Sequence, residues 1–158
     1  MKQKAFAFKD ICRLIRLIKD KKTVLVGGCF DILHFGHLKF LQKAKQEGEF
    51  LIIAIESDEF IRKNKRENPI HSQKKRAEIL ANLGFVDIVL LLPYFSSDKK
   101  YFELVKIINP NIIAITEGDP QLKNKKKQIE SIGGKLKIVT PLLKQFSTRK
   151  LLKRFVSN

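Results

Sequence analysis

Histidine is scarce in this chain, and two of its three histidines stand three positions apart in Gly27-Gly28-Cys29-Phe30-Asp31-Ile32-Leu33-His34-Phe35-Gly36-His37. Residues i and i+3 of a helix project to the same side, so His34 and His37 would point together from one helix start. The free N–H groups and the dipole of a helix start already attract anions. Gly36 puts no side chain between the imidazoles, and the Gly27-Gly28 pair lets backbone come close to a ligand. Together they describe a grip for phosphate. Two blander readings stand beside it. The histidines could be metal ligands with Cys29 as a third, although that spacing fits no standard zinc pattern, or plain residues of a helix start. The segment is neither the G-x-G-x-x-G dinucleotide fingerprint nor a phosphate loop ending in Gly-Lys-Ser/Thr.

Such a motif needs a strand to end on and a helix to open. Residues 23–26 read as a buried strand running into the glycines, and 37–46 as a helix stopped by Gly48. Strand 50–55 follows, then helix 72–83 with Ser72 as N-cap and Gly84 just past its end. Strand 86–92 precedes helix 98–108, which Asn109-Pro110 terminates. Strand 111–116, helix 120–132 closed by Gly133-Gly134, strand 136–139 and a last helix over 147–155 complete the pattern. Ile11, Leu14, Ile15 and Ile18 fall at i, i+3, i+4 and i+7, so residues 1–22 read as an N-terminal helix packing on a core of 23–158. Strands alternating with helices predict a single doubly wound, Rossmann-like α/β domain over 1–158 with five parallel strands. Ligands of such sheets bind at the carboxyl ends of the strands, which is where the histidines fall.

Composition narrows the classes. The chain is 44% apolar, enough to close a core and exclude wholesale disorder. No apolar run approaches the ~18 residues of a membrane span; the one around 88–92 stops at Pro93, and no membrane partner is expected. Cys12 and Cys29 are the two cysteines, too few for a disulfide scaffold and in keeping with a reducing compartment. The basic N-terminus contains Asp10 and Asp20, no serine and no small-residue cleavage site, so it is read as structure rather than a targeting segment, and the expected location is cytoplasmic. Thirty-two lysines and arginines against 16 acids give +16, a surplus that favours anionic partners, though a lysine-biased composition explains it equally well. A basic nucleic-acid-binding α/β module accounts for the charge but not for the paired histidines. It also lacks the aromatic and basic surface that stacks single strands, so nucleic acid is not the expected partner.

Gly28-Cys29-Phe30-Asp31 followed by His34-Phe35-Gly36-His37 resembles the signature of the H-x-G-H nucleotidyltransferases, the cytidylyltransferase-like superfamily, and the resemblance covers nearly the whole chain from Thr23. Residues 38–45 and 55–60 are similar to the glycerol-3-phosphate cytidylyltransferase branch. Cys29 and Ile132-Gly133-Gly134-Lys135 look more like the heptose-1-phosphate adenylyltransferase branch. The resemblance implies that a nucleoside triphosphate, with Mg²⁺, and a phosphorylated sugar or polyol give a nucleoside diphosphate conjugate and pyrophosphate. ATP is favoured over CTP, a CTP-dependent glycerol-3-phosphate-type enzyme being the alternative, and a homodimer is suggested. It assigns His34 and His37 to the phosphates and Gly28, Cys29, Phe30, Asp31 and Gly36 to the nucleotide.

Four further places carry expectations. Arg76 shares a helix stripe with Ile79, Leu80 and Leu83 and sits at the wrong end of the dipole for a cation. It therefore needs an anionic partner, and the resemblance makes that partner a phosphate. Lys63, Lys65 and Arg66 form a basic loop ahead of Pro69 where the family has phosphate-binding lysines; Lys63 and Lys65 compete for the role, and a merely solvated loop is the blander reading. Asp119 is a good N-cap before Pro120, and the family has Gly-Asp close to the nucleotide here. Ser147 and Thr148 open the last helix as caps or triphosphate contacts. There the chain departs from the family's pattern, with Leu142 where one branch has arginine and Arg149 in place of a second hydroxyl; a degenerate transferase kept for binding is a third reading. Lys123, Lys125, Lys126 and Lys127 read as a solvated face without chemistry.

Overall fold

The computed structural model describes residues 4–141 together with 150, 152 and 153. Its centre is a parallel sheet of strands β1 (Ala5–Ala7), β2 (Thr23–Gly28), β3 (Phe50–Ile55), β4 (Ile88–Leu91), β5 (Ile112–Thr116) and β6 (Lys135–Thr140), in the order β1-β4-β3-β2-β5-β6. The α/β class and parallel sheet agree with the sequence reading, but the sheet has six strands, not five. The extra strand is β1, which pairs with β4 from Ala5↔Val89 to Ala7↔Leu91. Three residues are too few for any period to register, and Phe6, 2% exposed, is its only buried side chain.

The helices are α1 (Ile11–Ile18), α2 (Phe35–Lys45), α3 (Asp58–Phe60), α4 (Gln73–Ala81), α5 (Asp98–Ile108) and α6 (Leu122–Glu130). β3 is buried along both faces, which explains its unbroken apolar run. Leu51, Ile53 and Ile55 join Val24, Val26, Leu41 and Leu80 in the layer under α2 and α4. Ile52 and Ala54 join Leu14, Leu25, Leu104, Ile113 and Ile129 in the layer under α1, α5 and α6.

Two local differences have plain causes. The expected basic loop after β3 is α3 running into a π-type turn, Ile61–Lys65, because the Ser57 hydroxyl accepts from the Phe60 N–H at 3.1 Å and Ile61 is buried. The turn ends at Arg66, φ 57°. Helix α6 begins at Leu122 rather than at Pro120, since Asp119 closes a tight turn on the Gln121 N–H instead of capping a helix. Of the expected last helix, only 150, 152 and 153 are described, and they are helical; Ser147, Thr148, Leu142 and Arg149 lie outside the described residues. No helix among the described residues is long and apolar enough to cross a membrane.

From β2 the chain proceeds one way through β3 and β4 and later crosses to β5 and β6 on the other side. The ladder between β2 and β5 covers only Val24↔Ile112 and Leu25↔Ile113. Beyond it Gly27 and Gly28 face Ala114 and Thr116 across an open cleft, the switch point where this architecture receives ligands.

Candidate functional site

Strand β2 ends on Gly28, where a β-carbon would lie 2.9 Å from the Phe30 ring, so the close approach requires glycine. Phe30 itself turns the chain with φ 48° and is 6% exposed. That turn delivers His34 to the N-cap of α2, where its Nδ1 accepts the His37 N–H at 3.3 Å. The two imidazoles then stack, centroids 3.7 Å apart at 18°, with Phe30 set edge-on to His37 at 5.2 Å. Gly36 is the second residue of α2. Burial lowers the pKa of both histidines. His37 falls to about 4 through burial, its neighbour His34 and Lys65, with the backbone at Ile32 acting the other way. His37 Nδ1 is buried without a hydrogen-bond partner of good geometry. A pair of neutral rings at a helix start, one nitrogen unpaired, is suited to a ligand that brings its own negative charge.

Arg76 and Asp31 hold this arrangement together from behind. Arg76 is 0% exposed. Its guanidinium donates to the carbonyls of His71 (3.1 Å), Cys29 (2.5 Å) and Glu56 (2.9 Å) and to Asp58 Oδ1 (2.8 Å). An anionic partner is present in Asp58. The side chain is enclosed by the ends of β2 and β3, and four of its five N–H donors are taken. Asp31 lines the cleft, and its two carboxylate oxygens accept the N–H groups of Ile70 and His71, both at 2.9 Å, and so fasten the 66–71 segment to the motif.

The two competing lysines separate. Lys63 points to Glu59 (2.6 Å) and lies over the Tyr94 ring, more than half exposed. Lys65 lines the cleft beside Cys29 and His37. Burial pushes the Cys29 thiol up, with Lys65 opposing it. Opposite them Asp119, after Gly118 with φ 76°, accepts from Lys125 Nζ at 2.7 Å. This corrects the reading of Lys125 as part of a solvated face. Lys125 lies three and four positions before the buried Gln128 and Ile129 and so faces inward, whereas Lys123, Lys126 and Lys127 remain exposed.

Two cavities open on this strip. One, about 230 Å³, lies against His37, Phe40, Ala114 and Thr116. The other, about 430 Å³, runs under the sheet between α5 and α6, lined by Leu92, Phe95, Tyr101, Leu104 and Gln128. Gly27, Gly28, Cys29, Lys65, Asp119 and Lys125 line both. Glu56 stands at the mouth of the larger one. Burial pushes its carboxyl up to about 7, against the Tyr101 hydroxyl, Lys125, Arg76 and Lys65, which favour the charged form. Sequence reasoning gave no chemical role to Glu56, Tyr101, Thr116 or Lys125. A carboxylate directly after a fully apolar strand was the one available signal.

A family model described as cytidylyltransferase-like matches residues 25–152. A bifunctional protein HldE from Aliarcobacter butzleri is 39% identical over 154 residues, 96% of this chain and 31% of that protein. An FAD synthase from Thermococcus kodakarensis is 42% identical over 114 residues, 72% of this chain and 73% of that one. The chain thus spans less than a third of the length of the HldE relative it matches. Among solved structures, a lipopolysaccharide core biosynthesis protein from Thermoplasma volcanium superposes with a TM-score of 0.62 at 26% identity, over 76% of this chain and 95% of that one.

Proposed function

Since the chain belongs to the cytidylyltransferase-like family of nucleotidyltransferases, we propose that it transfers a nucleoside monophosphate from a nucleoside triphosphate, ATP in preference to CTP, to a phosphorylated sugar or polyol. The observation that carries this reading is the stacked His34–His37 pair, with an unpaired buried nitrogen, at a helix start beside Lys65 and Lys125. A phosphate oxygen of the acceptor attacks the α-phosphorus, the bond from that phosphorus to its β-bridging oxygen breaks, and pyrophosphate leaves with the electron pair. No side-chain nucleophile is needed, because the attacking oxygen is already anionic.

Catalysis then rests on position and charge. The α2 start and the two imidazole N–H groups receive the triphosphate, and negative charge arriving there raises the histidines' affinity for protons as it accumulates. Lys65 and Lys125, on the strip shared by the two cavities, stand where acceptor phosphate and α-phosphate would meet. The larger cavity has room for an acceptor body of several carbons. Among the described residues no group of three or more His, Cys, Asp or Glu could hold a metal; Mg²⁺ fits as a companion of the triphosphate, whose oxygens supply its ligands and whose charge it offsets. ATP is preferred because the chain shares Cys29 and Ile132–Lys135 with the heptose-1-phosphate adenylyltransferase branch and resembles an FAD synthase, whose product carries an adenylyl group. A cytoplasmic homodimer belongs to the same reading.

Thermal shift with ATP, CTP, GTP and UTP plus Mg²⁺ selects the nucleotide. Pyrophosphate release is then measured with that nucleotide and a set of phosphorylated sugars and polyols. Stabilisation by one nucleotide and turnover with one acceptor support the reading; no turnover with any pair overturns it.

A further inference from the structure

Among the described residues, two buried side-chain atoms have no hydrogen-bond partner: His37 Nδ1 and Glu56 Oε2. Native proteins rarely leave such atoms unpaired, and each calls for a reason. They are distributed one to each cavity, His37 lining the smaller and Glu56 the larger. The backbone at Ile32, which acts on the His37 ring, gives a reason for the first. Nothing in the reaction derived above uses the second.

Glu56 is firmly placed. It follows β3 directly, its N–H donates to the Gly28 carbonyl at 3.0 Å, and its own carbonyl accepts from Arg76. Its side chain is 9% exposed, and Oε1 accepts the Tyr101 hydroxyl at 2.9 Å. Tyr101 rises from α5, across the cavity from the Lys65 and Lys125 strip. One carboxylate oxygen is therefore fixed by the protein, while the other is buried and unpaired in a residue that lines a cavity with Leu25, Ala54, Phe95, Leu104 and Ile113. That oxygen has no donor from the described residues, and a donor on a ligand would complete it.

We propose that Glu56 is a specificity-determining residue for the acceptor, its Oε2 receiving a hydrogen bond from a hydroxyl of the acceptor body while the acceptor's phosphate lies on the strip of Gly28, Lys65 and Lys125. The proposal rests on the reaction proposed above and adds the chemical feature that the acceptor must carry: a hydroxyl donor several bonds from its phosphate. A buried site built to hydrogen-bond a substrate hydroxyl rejects the analogue that lacks it, because its own polar group is then left unpaired. Three-carbon polyol phosphates would leave much of the cavity empty, so the favoured class is a sugar phosphate.

The test uses the full chain with the nucleotide selected by thermal shift. Acceptor probes are glucose 1-phosphate, mannose 1-phosphate, glycero-manno-heptose 1-phosphate, glycerol 3-phosphate and choline phosphate, whose body has no O–H or N–H donor. Wild type is expected to use a sugar phosphate and to reject choline phosphate. Glu56→Leu should raise the acceptor KM about tenfold or more, the loss of a hydrogen bond to a charged group, with kcat within about threefold and nucleotide Kd within about twofold. Glu56→Gln keeps an acceptor oxygen and should fall between. The groups around Glu56, namely Tyr101 on α5, Lys125 on α6, Arg76 on α4 and Lys65, set its titration near neutrality. Acceptor kcat/KM should therefore rise with pH through about 7 in wild type. Both variants should lose that component and keep the one from the acceptor phosphate near ~6.

An acceptor KM within twofold of wild type in Glu56→Leu, or a nucleotide Kd that rises in step with it, overturns the proposal while leaving nucleotidyl transfer standing. If Glu56→Leu does not fold, Glu56→Gln decides by the pH profile: an acceptor kcat/KM that still rises through about 7 in that variant overturns the proposal. No turnover by wild type with any probe removes the reaction, and the proposal with it.

Discussion

At the residue scale, one cause acts with opposite signs on the two groups that matter most. Burial lowers His37 to about 4 and raises Glu56 to about 7, so each is held towards its uncharged form. Unfolded His37 titrates near ~6.5 and binds a proton that the folded ring refuses, so between about pH 4 and 6.5 stability from this group rises with pH. Folded Glu56 keeps a proton that the unfolded carboxyl releases, so between ~4.5 and 7 its contribution falls as pH rises. The two slopes oppose one another in wild type. Melting curves from pH 4.5 to 7.5 should therefore separate the variants. His37→Gln gains stability over wild type chiefly at the acid end, and Glu56→Gln chiefly at the neutral end, on the order of 3 kcal/mol for the latter. Parallel profiles for both would contradict the burial argument. For activity, His37→Ala should lower kcat by ~10²–10³, the usual loss for one donor to developing charge, and change nucleotide Kd little. Equal losses in both would make His37 a binding group only. The histidine pair was legible because histidine is rare and the spacing is helical. Glu56 and Lys125 were not, since a lone carboxylate and one lysine of a run gain meaning only when α5 and α6 close over the sheet.

At the element scale, the site is held by a clasp. Arg76 rises from the first turn of α4 and ties together the ends of β2 and β3 and the start of α3, while Asp31 ties the motif to the segment before α4. That a charge on an apolar stripe needs an anion was readable in the sequence. Which anion was not, because Asp58 approaches only once Ser57 has capped α3 and the chain has turned back. The same blindness hid β1, whose three residues become a strand only by pairing with β4. A helix of eleven residues such as α5 announces its own period; a three-residue strand does not. Arg76→Met leaves Asp58 and three carbonyls without their donor. Asp58 keeps 26% side-chain exposure, so water softens the loss, and the expected cost is about 3 kcal/mol, the lower end for breaking a buried pair. Urea unfolding should show the midpoint falling with its slope unchanged. Arg76→Lys should recover only part of it, since one ammonium cannot reach four acceptors in fork geometry. A midpoint within experimental scatter of wild type would mean that the clasp does not hold the site.

At the scale of the whole molecule, the question is what a charge of +16 does. Among the described residues the fold concentrates very little of it at the cleft. Arg76 is enclosed, Lys63 is taken by Glu59, and Lys123, Lys126 and Lys127 stand on the outer side of α6. Lys65 and Lys125 are left on the strip between the cavities. Total charge was plain in the sequence, but its distribution depended on which face of α6 packs inward, and Lys125 shares that face with the buried Gln128 and Ile129. Two kinds of cation should then behave differently. Exposed lysines act through a field that salt screens over about 8–10 Å. Replacing Lys123, Lys126 and Lys127 together by Gln should leave kcat and nucleotide Kd within about twofold, while flattening the salt dependence of nucleotide association. Lys65→Ala or Lys125→Ala should instead cut kcat/KM by tenfold or more at every ionic strength, about 1.4 kcal/mol of lost transition-state stabilisation. The corresponding ligand effect is direct. At a nucleotide concentration of about 100 times Kd, wild type should gain ~2.7 kcal/mol, a rise in Tm of roughly 5–10 °C for a domain of this size. Either strip variant should lose most of that rise at the same nucleotide concentration, and the triple outer variant should keep it. If the triple variant lost it as well, the nucleotide would be held by the molecule's general charge, and the cleft between β2 and β5 would not be its site.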